Sequence, residues 1–261
     1  MRRSLVWHSW NSTPSMRDNS AFIGPDGRAE ETAGKPYKNA KRATKAINVL
    51  GFIVTLWAVF LPVPYIAAII SCLILPLICV YVMASAKGLV NLNAPRRSKE
   101  PNVAIAFVGP CIALCFRAVF DFQFISYERS LAWGSAMGLA LTFLTYANAP
   151  DLKQKWLNLL VVLPFALAYG YGFFLELNCL PDSSKPSVYT TRIVNRRISN
   201  GNRGGKYYYL DILPCGPLTK TQEVRVSRRK YEIYSNYQQI LLLVRNGTLG
   251  AEWFYIAPMM R

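Results

Sequence analysis

Between Ile47 and Leu175 the chain is a series of long apolar runs, nearly free of charge, joined by short polar links. A backbone in hydrocarbon must satisfy its own N–H and C=O groups, so only helices and closed barrels can span a bilayer. A helix needs about 20 apolar residues to do so. Five spans are expected, at about residues 46–61, 65–85, 103–121, 131–147 and 156–176. Only Pro62-Val63-Pro64 separates the first two, which predicts a tight helical hairpin. The first run is short, and Thr44 and Lys45 can extend it by snorkelling. Pro76 and Pro164 predict kinks in the second and fifth spans. The expected fold is therefore a membrane α-helical bundle at 46–177. A basic, largely disordered segment at 1–45 precedes it, and a small β-domain at 178–261 follows.

Composition agrees, with 52% hydrophobic residues, 17% charged residues and a mean hydropathy of +0.18. A net charge of +16 can signal nucleic-acid binding. Here it is spread over the N-terminal segment, one short loop and the tail, with no nucleic-acid fold signature. No nucleic-acid partner is expected. Arg2 and Arg3 resemble the start of a secretory signal, but the following apolar stretch ends at Trp7. That is shorter than the roughly 7–15 residues such a signal needs. Trp7 and Trp10 can rest on the membrane interface or on another part of the protein.

Lys and Arg beside spans set orientation. The collar Lys35, Lys38, Lys41, Arg42 and Lys45 falls on one side of a five-span protein. The loop with Lys87, Arg96, Arg97 and Lys99 and the link with Lys153 and Lys155 fall on that same side. The expected N-terminus is cytoplasmic, and the tail emerges on the opposite, extracytoplasmic face.

The tail alternates as β-structure. Residues 188–194, 206–213, 223–226, 238–245 and 251–256 read as five short strands of an antiparallel sandwich or open barrel. Asn200–Gly205 and Asn246–Gly250 read as hairpin turns, the second in preference to a glycosylation acceptor. Ser227 is placed to cap a short helix through Asn236. Cys72, Cys79, Cys111 and Cys115 lie in spans, where thiols act as small apolar groups. Cys179 and Cys215 are the two cysteines outside them, and an oxidising compartment would let them form a disulfide.

Catalytic sets are missing. His8 is the only histidine, so no His-based triad or multi-His metal site can be built. No metal and no cofactor is expected. Arg117 and Asp121 stand one helical turn apart on the third span, and ionisable groups at membrane depth point by default to function. The plainer reading is a self-neutralising pair at the interface. Glu176 closes the fifth span at the same level, so Arg117, Asp121 and Glu176 can form a buried polar cluster. Gly134 and Gly138 make a GxxxG step suited to close helix packing, within the chain or between copies. Tyr169-Gly170-Tyr171-Gly172 reads as an aromatic interface belt. Arg225, Arg228, Arg229 and Lys230 form a basic cluster that can face anionic lipid or a partner.

Three stretches carry a family resemblance: Arg117-Ala118 through Asp121, Tyr169–Gly172, and Gly247-Thr248-Leu249-Gly250-Ala251-Glu252-Trp253-Phe254. On these, and over most of the chain after Lys38, the protein resembles a family of uncharacterised bacterial inner-membrane proteins. These have several N-terminal spans and a small C-terminal extracytoplasmic β-domain. The resemblance implies the architecture and brings no activity. The expected function is that of a non-enzymatic membrane protein for binding, sensing or assembly. Its β-domain would meet a protein partner, a ligand or a second copy. The alternative is a small channel or transporter with Arg117, Asp121 and Glu176 along its path; a membrane enzyme ranks last.

Overall fold

The computed structural model describes residues 35–86, 88–93, 100–154, 156–200, 205–234 and 236–259. Trp7, Trp10 and the loop cations Lys87, Arg96, Arg97 and Lys99 lie outside them. The helices are α1 (Lys35–Phe60), α2 (Tyr65–Ser85), α3 (Ala104–Asp121), α4 (Glu128–Asn148), α5 (Pro150–Gln154) and α6 (Trp156–Cys179), with α7 (Arg228–Tyr234) in the tail. The strands are β1 (Gln123–Phe124), β2 (Ser187–Asn200), β3 (Lys206–Ile212), β4 (Gln222–Val226), β5 (Gln239–Arg245) and β6 (Trp253–Pro258).

Among the described residues, four helices are long and apolar enough to cross a membrane: α1, α2, α3 and α6. A fifth, α4, has 21 residues but is more polar. Around the bundle, large apolar side chains face outward. Phe60, Tyr81 and Phe143 are 71%, 72% and 70% exposed. A water-facing surface with such patches would aggregate, whereas a bilayer covers it.

The helix α1 corrects the expected N-terminal boundary. It begins at Lys35, so the basic collar is helical and is not a loose lead-in to residue 46. Lys, Arg and Ala are strong helix formers, and nothing between Lys35 and Ala46 breaks the turn. Thr44 turns inward and is buried, its hydroxyl donating to the Lys41 carbonyl at 3.1 Å. Asn48 then crosses to α3. Its Nδ2 donates to the Asn102 carbonyl at 2.7 Å, and its Oδ1 accepts from the Ala106 N–H at 3.0 Å. That N–H is one of the first-turn donors a helix leaves unpaired.

The tail supplies five strands, as expected, but the sheet has six. The order is β1-β6-β5-β2-β3-β4, antiparallel throughout. The extra strand comes from the connection between α3 and α4, so the β-domain is not confined to 178–261. Gln123 pairs with Phe254 and Phe124 with Trp253. The long strand β2 pairs first with β5 and then with β3, changing partner at an irregularity between Ile193 and Asn195. Such irregularities bend a strand and sharpen its twist. The sheet curls until its edges approach, and Gln123 Nε2 donates to the Arg225 carbonyl of β4 at 3.3 Å. The result is a nearly closed, barrel-like sheet.

Inside the barrel lie Leu210, Ile212, Val224, Ile240, Leu242 and Phe254. Tyr234 of α7 plugs it, donating its hydroxyl to the Ile256 carbonyl at 2.8 Å. Ser227 caps α7 as expected, its Oγ accepting from the Lys230 N–H at 3.3 Å. Between barrel and bundle sits a separate cluster of Ala118, Phe124, Phe174, Leu175, Cys179 and Ala251.

Candidate functional site

Arg117, Asp121 and Glu176 gather at one end of the bundle, under the β-domain. On α3, Arg117 Nη2 lies 2.7 Å from Asp121 Oδ2. Glu176 of α6 is 1% exposed. Its Oε1 accepts from the hydroxyl of Tyr65 at 3.0 Å. Arg117 lies over the Tyr65 ring, 5.6 Å from its centre, close enough for a cation–π attraction. Arg117 and Asp121 are both within electrostatic range of Glu176. Two acids thus share one guanidinium and one phenol. Glu176 Oε2 and Arg117 Nε are buried without a hydrogen-bond partner.

The sequence reading missed Tyr65. Its signal is its place as the first residue after the Pro62–Pro64 hinge, which sets it at the level of Asp121 and Glu176. The cluster ties together the ends of α2, α3 and α6. Chemically it can hold a proton or a small cation between its carboxylates, or lock three helix ends beneath the barrel.

Just beyond Glu176, two polar residues grip the turn between β5 and β6. Asn178 is fully buried. Its Oδ1 accepts from the Leu249 and Ala251 N–H groups at 3.0 and 3.2 Å, and its Nδ2 donates to the Ala251 carbonyl at 2.8 Å. Its own carbonyl accepts from the Thr248 N–H at 2.9 Å. The Asp182 carboxylate accepts from the Ser184 N–H at 2.8 Å, the Gly247 N–H at 3.0 Å and Trp253 Nε1 at 2.8 Å. Burial acts to raise the Asp182 pKa, but hydrogen bonds from Ser184, Trp253 and Gly247 outweigh it and hold the carboxyl below its usual range. Arg129, at the start of α4, donates to the Gly250 carbonyl. Gly247 has φ of 72°, and a side chain there would run into Asn178. The stretch Gly247–Phe254 is therefore the piece of the barrel that docks on the helices.

The GxxxG step and Tyr169–Gly172 are also contact surfaces. A methyl at Gly134 would come within 2.8 Å of the Tyr171 Cα, and one at Gly138 within 2.6 Å of the Leu167 Cα. Gly170 faces both glycines, with the Gly138 Cα 2.8 Å from its own would-be methyl. The GxxxG step thus packs α4 on α6 within one chain. The interface-belt reading of Tyr169–Gly172 is corrected. Tyr169 is buried and donates to the Leu73 carbonyl at 2.9 Å, and Gly172 abuts Cys115 of α3. Small residues here let three helices touch backbone to backbone.

The candidate disulfide is also corrected: Cys179 and Cys215 are free thiols. Cys179 packs in the junction cluster and Cys215 against the barrel interior, so each is held in a different core. The basic cluster divides. Arg225 sits 4.6 Å from the ring centres of both Phe120 and Tyr207, joining α3 to β3. Arg228 Nε lies 2.8 Å from Glu232 Oε1. Arg229 and Lys230 are exposed. Scans of protein-family models, curated proteins and solved structures found nothing that matches this chain.

Proposed function

We propose that the protein is a membrane-anchored binding protein whose β-domain meets a partner at the membrane face opposite the basic end of α1. The observation that carries this reading is the double attachment of the barrel. One strand of the sheet belongs to the α3–α4 connection, and the β5–β6 turn is gripped by Asn178 and Asp182 after α6. A domain used only as a tethered cap needs one attachment. With two, a load on the barrel is passed to α3 and α6 together, at the Arg117–Asp121–Glu176 cluster. The exposed Ile198 on β2 and Arg229 and Lys230 on α7 leave a cationic outer surface for a protein partner or a second copy.

We place α4 across the membrane too, giving five spans. The shared sheet puts the ends of α3 and α6 on one side, so the intervening α4 must return to the other. Its outward Trp133 and Leu139 are 58% and 55% exposed, which suits lipid. The basic collar then puts the N-terminus in the cytoplasm and the barrel outside, in a bacterial inner membrane. A reporter fused after Arg261 tests this arrangement: activity confined to the cytoplasm overturns it. Photo-crosslinkers at Ile198 and Arg229 test the binding face. A discrete adduct from these positions, absent from Leu131 on the lipid side of α4, is expected. A lack of any adduct refutes the face.

The second reading, a small channel or transporter, is favoured by one observation. Glu176 Oε2 and Arg117 Nε lie buried with no partner, as they would beside a passing ion. Arg117→Leu and Asp121→Leu variants that insert stably yet lose an ion flux in proteoliposomes would establish it.

A further inference from the structure

At the end of the bundle away from the barrel, a cleft of about 520 Å³ is lined by α1 and by residues 100–105. Its chemistry is graded along α1. Lys41 and Lys45 stand at the mouth, one turn apart. Val49 follows at the same spacing, then Phe52, with Ile105 of α3 opposite. Val49, Phe52 and Ile105 are 53%, 55% and 53% exposed, so the floor opens sideways to where hydrocarbon would lie. Glu100 is the acid of the lining, and its Oε2 accepts from Asn91 Nδ2 at 2.7 Å. The lining thus sets cations at the mouth above an apolar floor, an order suited to an amphiphile with a negative head. A second hollow of about 530 Å³ lies across the Lys45–Val49 ridge, again with cations (Arg42, Lys45) above apolar Leu50 and Ile53.

A soluble anion would gain nothing from the floor, and a neutral lipid nothing from the mouth. We propose that the cleft binds an anionic phospholipid. Its phosphate lies at Lys41 and Lys45, and one acyl chain runs down Val49, Phe52 and Ile105. Basic residues at a helix end hold anionic headgroups by Coulomb attraction, and lysine stems extend along apolar surface while the ammonium stays at headgroup level.

The test is native mass spectrometry of the full chain, released from detergent containing equal phosphatidylglycerol and phosphatidylcholine with the same acyl chains. Phosphatidylglycerol should be retained over phosphatidylcholine by roughly tenfold, given two cations near one phosphate. The Lys41→Gln/Lys45→Gln variant should lose the preference, and Lys220→Gln, on the β-domain, should keep it. Ile105→Trp changes no charge but fills the floor, and it too should lose retention. Equal retention of the two lipids overturns the proposal. So does a preference that survives Ile105→Trp, because the attraction would then belong to the basic surface and not to the cleft. Excess glycerol phosphate should not displace the lipid; displacement would refute the role given to the acyl chain.

Discussion

Replacing Asn178 by Ala should release the barrel from the helices without unfolding either. The amide accepts two N–H groups and donates to one carbonyl across the junction. Leu249 is 38% exposed, so its N–H can turn to water. Ala251 is 3% exposed, so its N–H and C=O are stranded. A buried polar group left unpaired costs about 1–3 kcal/mol, which makes the loss roughly 2–6 kcal/mol for the pair. If the cost falls on docking, the open population rises about thirty-fold to roughly ten-thousand-fold, at ~1.4 kcal/mol per factor of ten. Cys179 reports this directly, because it is buried in the junction cluster. Its alkylation by a thiol reagent should speed up in proportion, while Cys72, deep in the bundle, stays protected. Asn195→Ala is the comparison, since its amide reaches Asp211 on the exposed side of the sheet. Equal alkylation of Cys179 in the two variants would refute the claim that Asn178 holds the domains together.

Phe124→Ala removes a 2% exposed ring from the strand that joins α3 to the sheet. It should cost about 3–5 kcal/mol and also expose Cys179 in the alkylation assay. Gly170→Val forces side-chain atoms onto Gly134 and Gly138. It should lower the melting temperature sharply or block folding, overpacking alone costing ~1–3 kcal/mol, whereas Gly205→Ala, with open space around it, should melt as the parent does. Asp182 gives a pH dependence of known sign. Its folded pKa lies below that of an ordinary aspartate, so its contribution is present above the ordinary value and is lost as pH falls through the lower, folded one. Between pH 6 and pH 3 the parent should lose more melting temperature than Asp182→Asn; parallel curves would show that the carboxylate does not hold the turn.

Much of this architecture was legible from residue type alone. Apolar runs with no charge cannot be paired with water, so the helices at 65–85 and 104–121 fell within a residue of their expected ends. Alternation and turn residues placed all five tail strands, because a barrel buries one face of each strand and the period of two is written in the side chains. Arg117, Asp121 and Glu176 could be brought to one level by counting turns, since each lies near the same end of its helix. Tyr65 starts its run at that same level, but nothing in a tyrosine there says whether its hydroxyl meets water or a carboxylate.

What only the tertiary structure decided lies in contacts between distant segments. A two-residue strand carries no period, so Gln123-Phe124 reads as a loop until β6 is beside it. The Gly134–Gly138 step favours internal packing but leaves dimerisation open, and only the position of Gly170 against it settles which. Cys179 closes α6 and Cys215 lies in the tail, and a disulfide depends on where the two end in space. The pattern along one chain determines which faces seek lipid, water or a core, because that is a property of each side chain. Which face meets which is a property of pairs, and here some pairs join residues more than a hundred positions apart, as Tyr65 meets Glu176 and Gln123 meets Phe254.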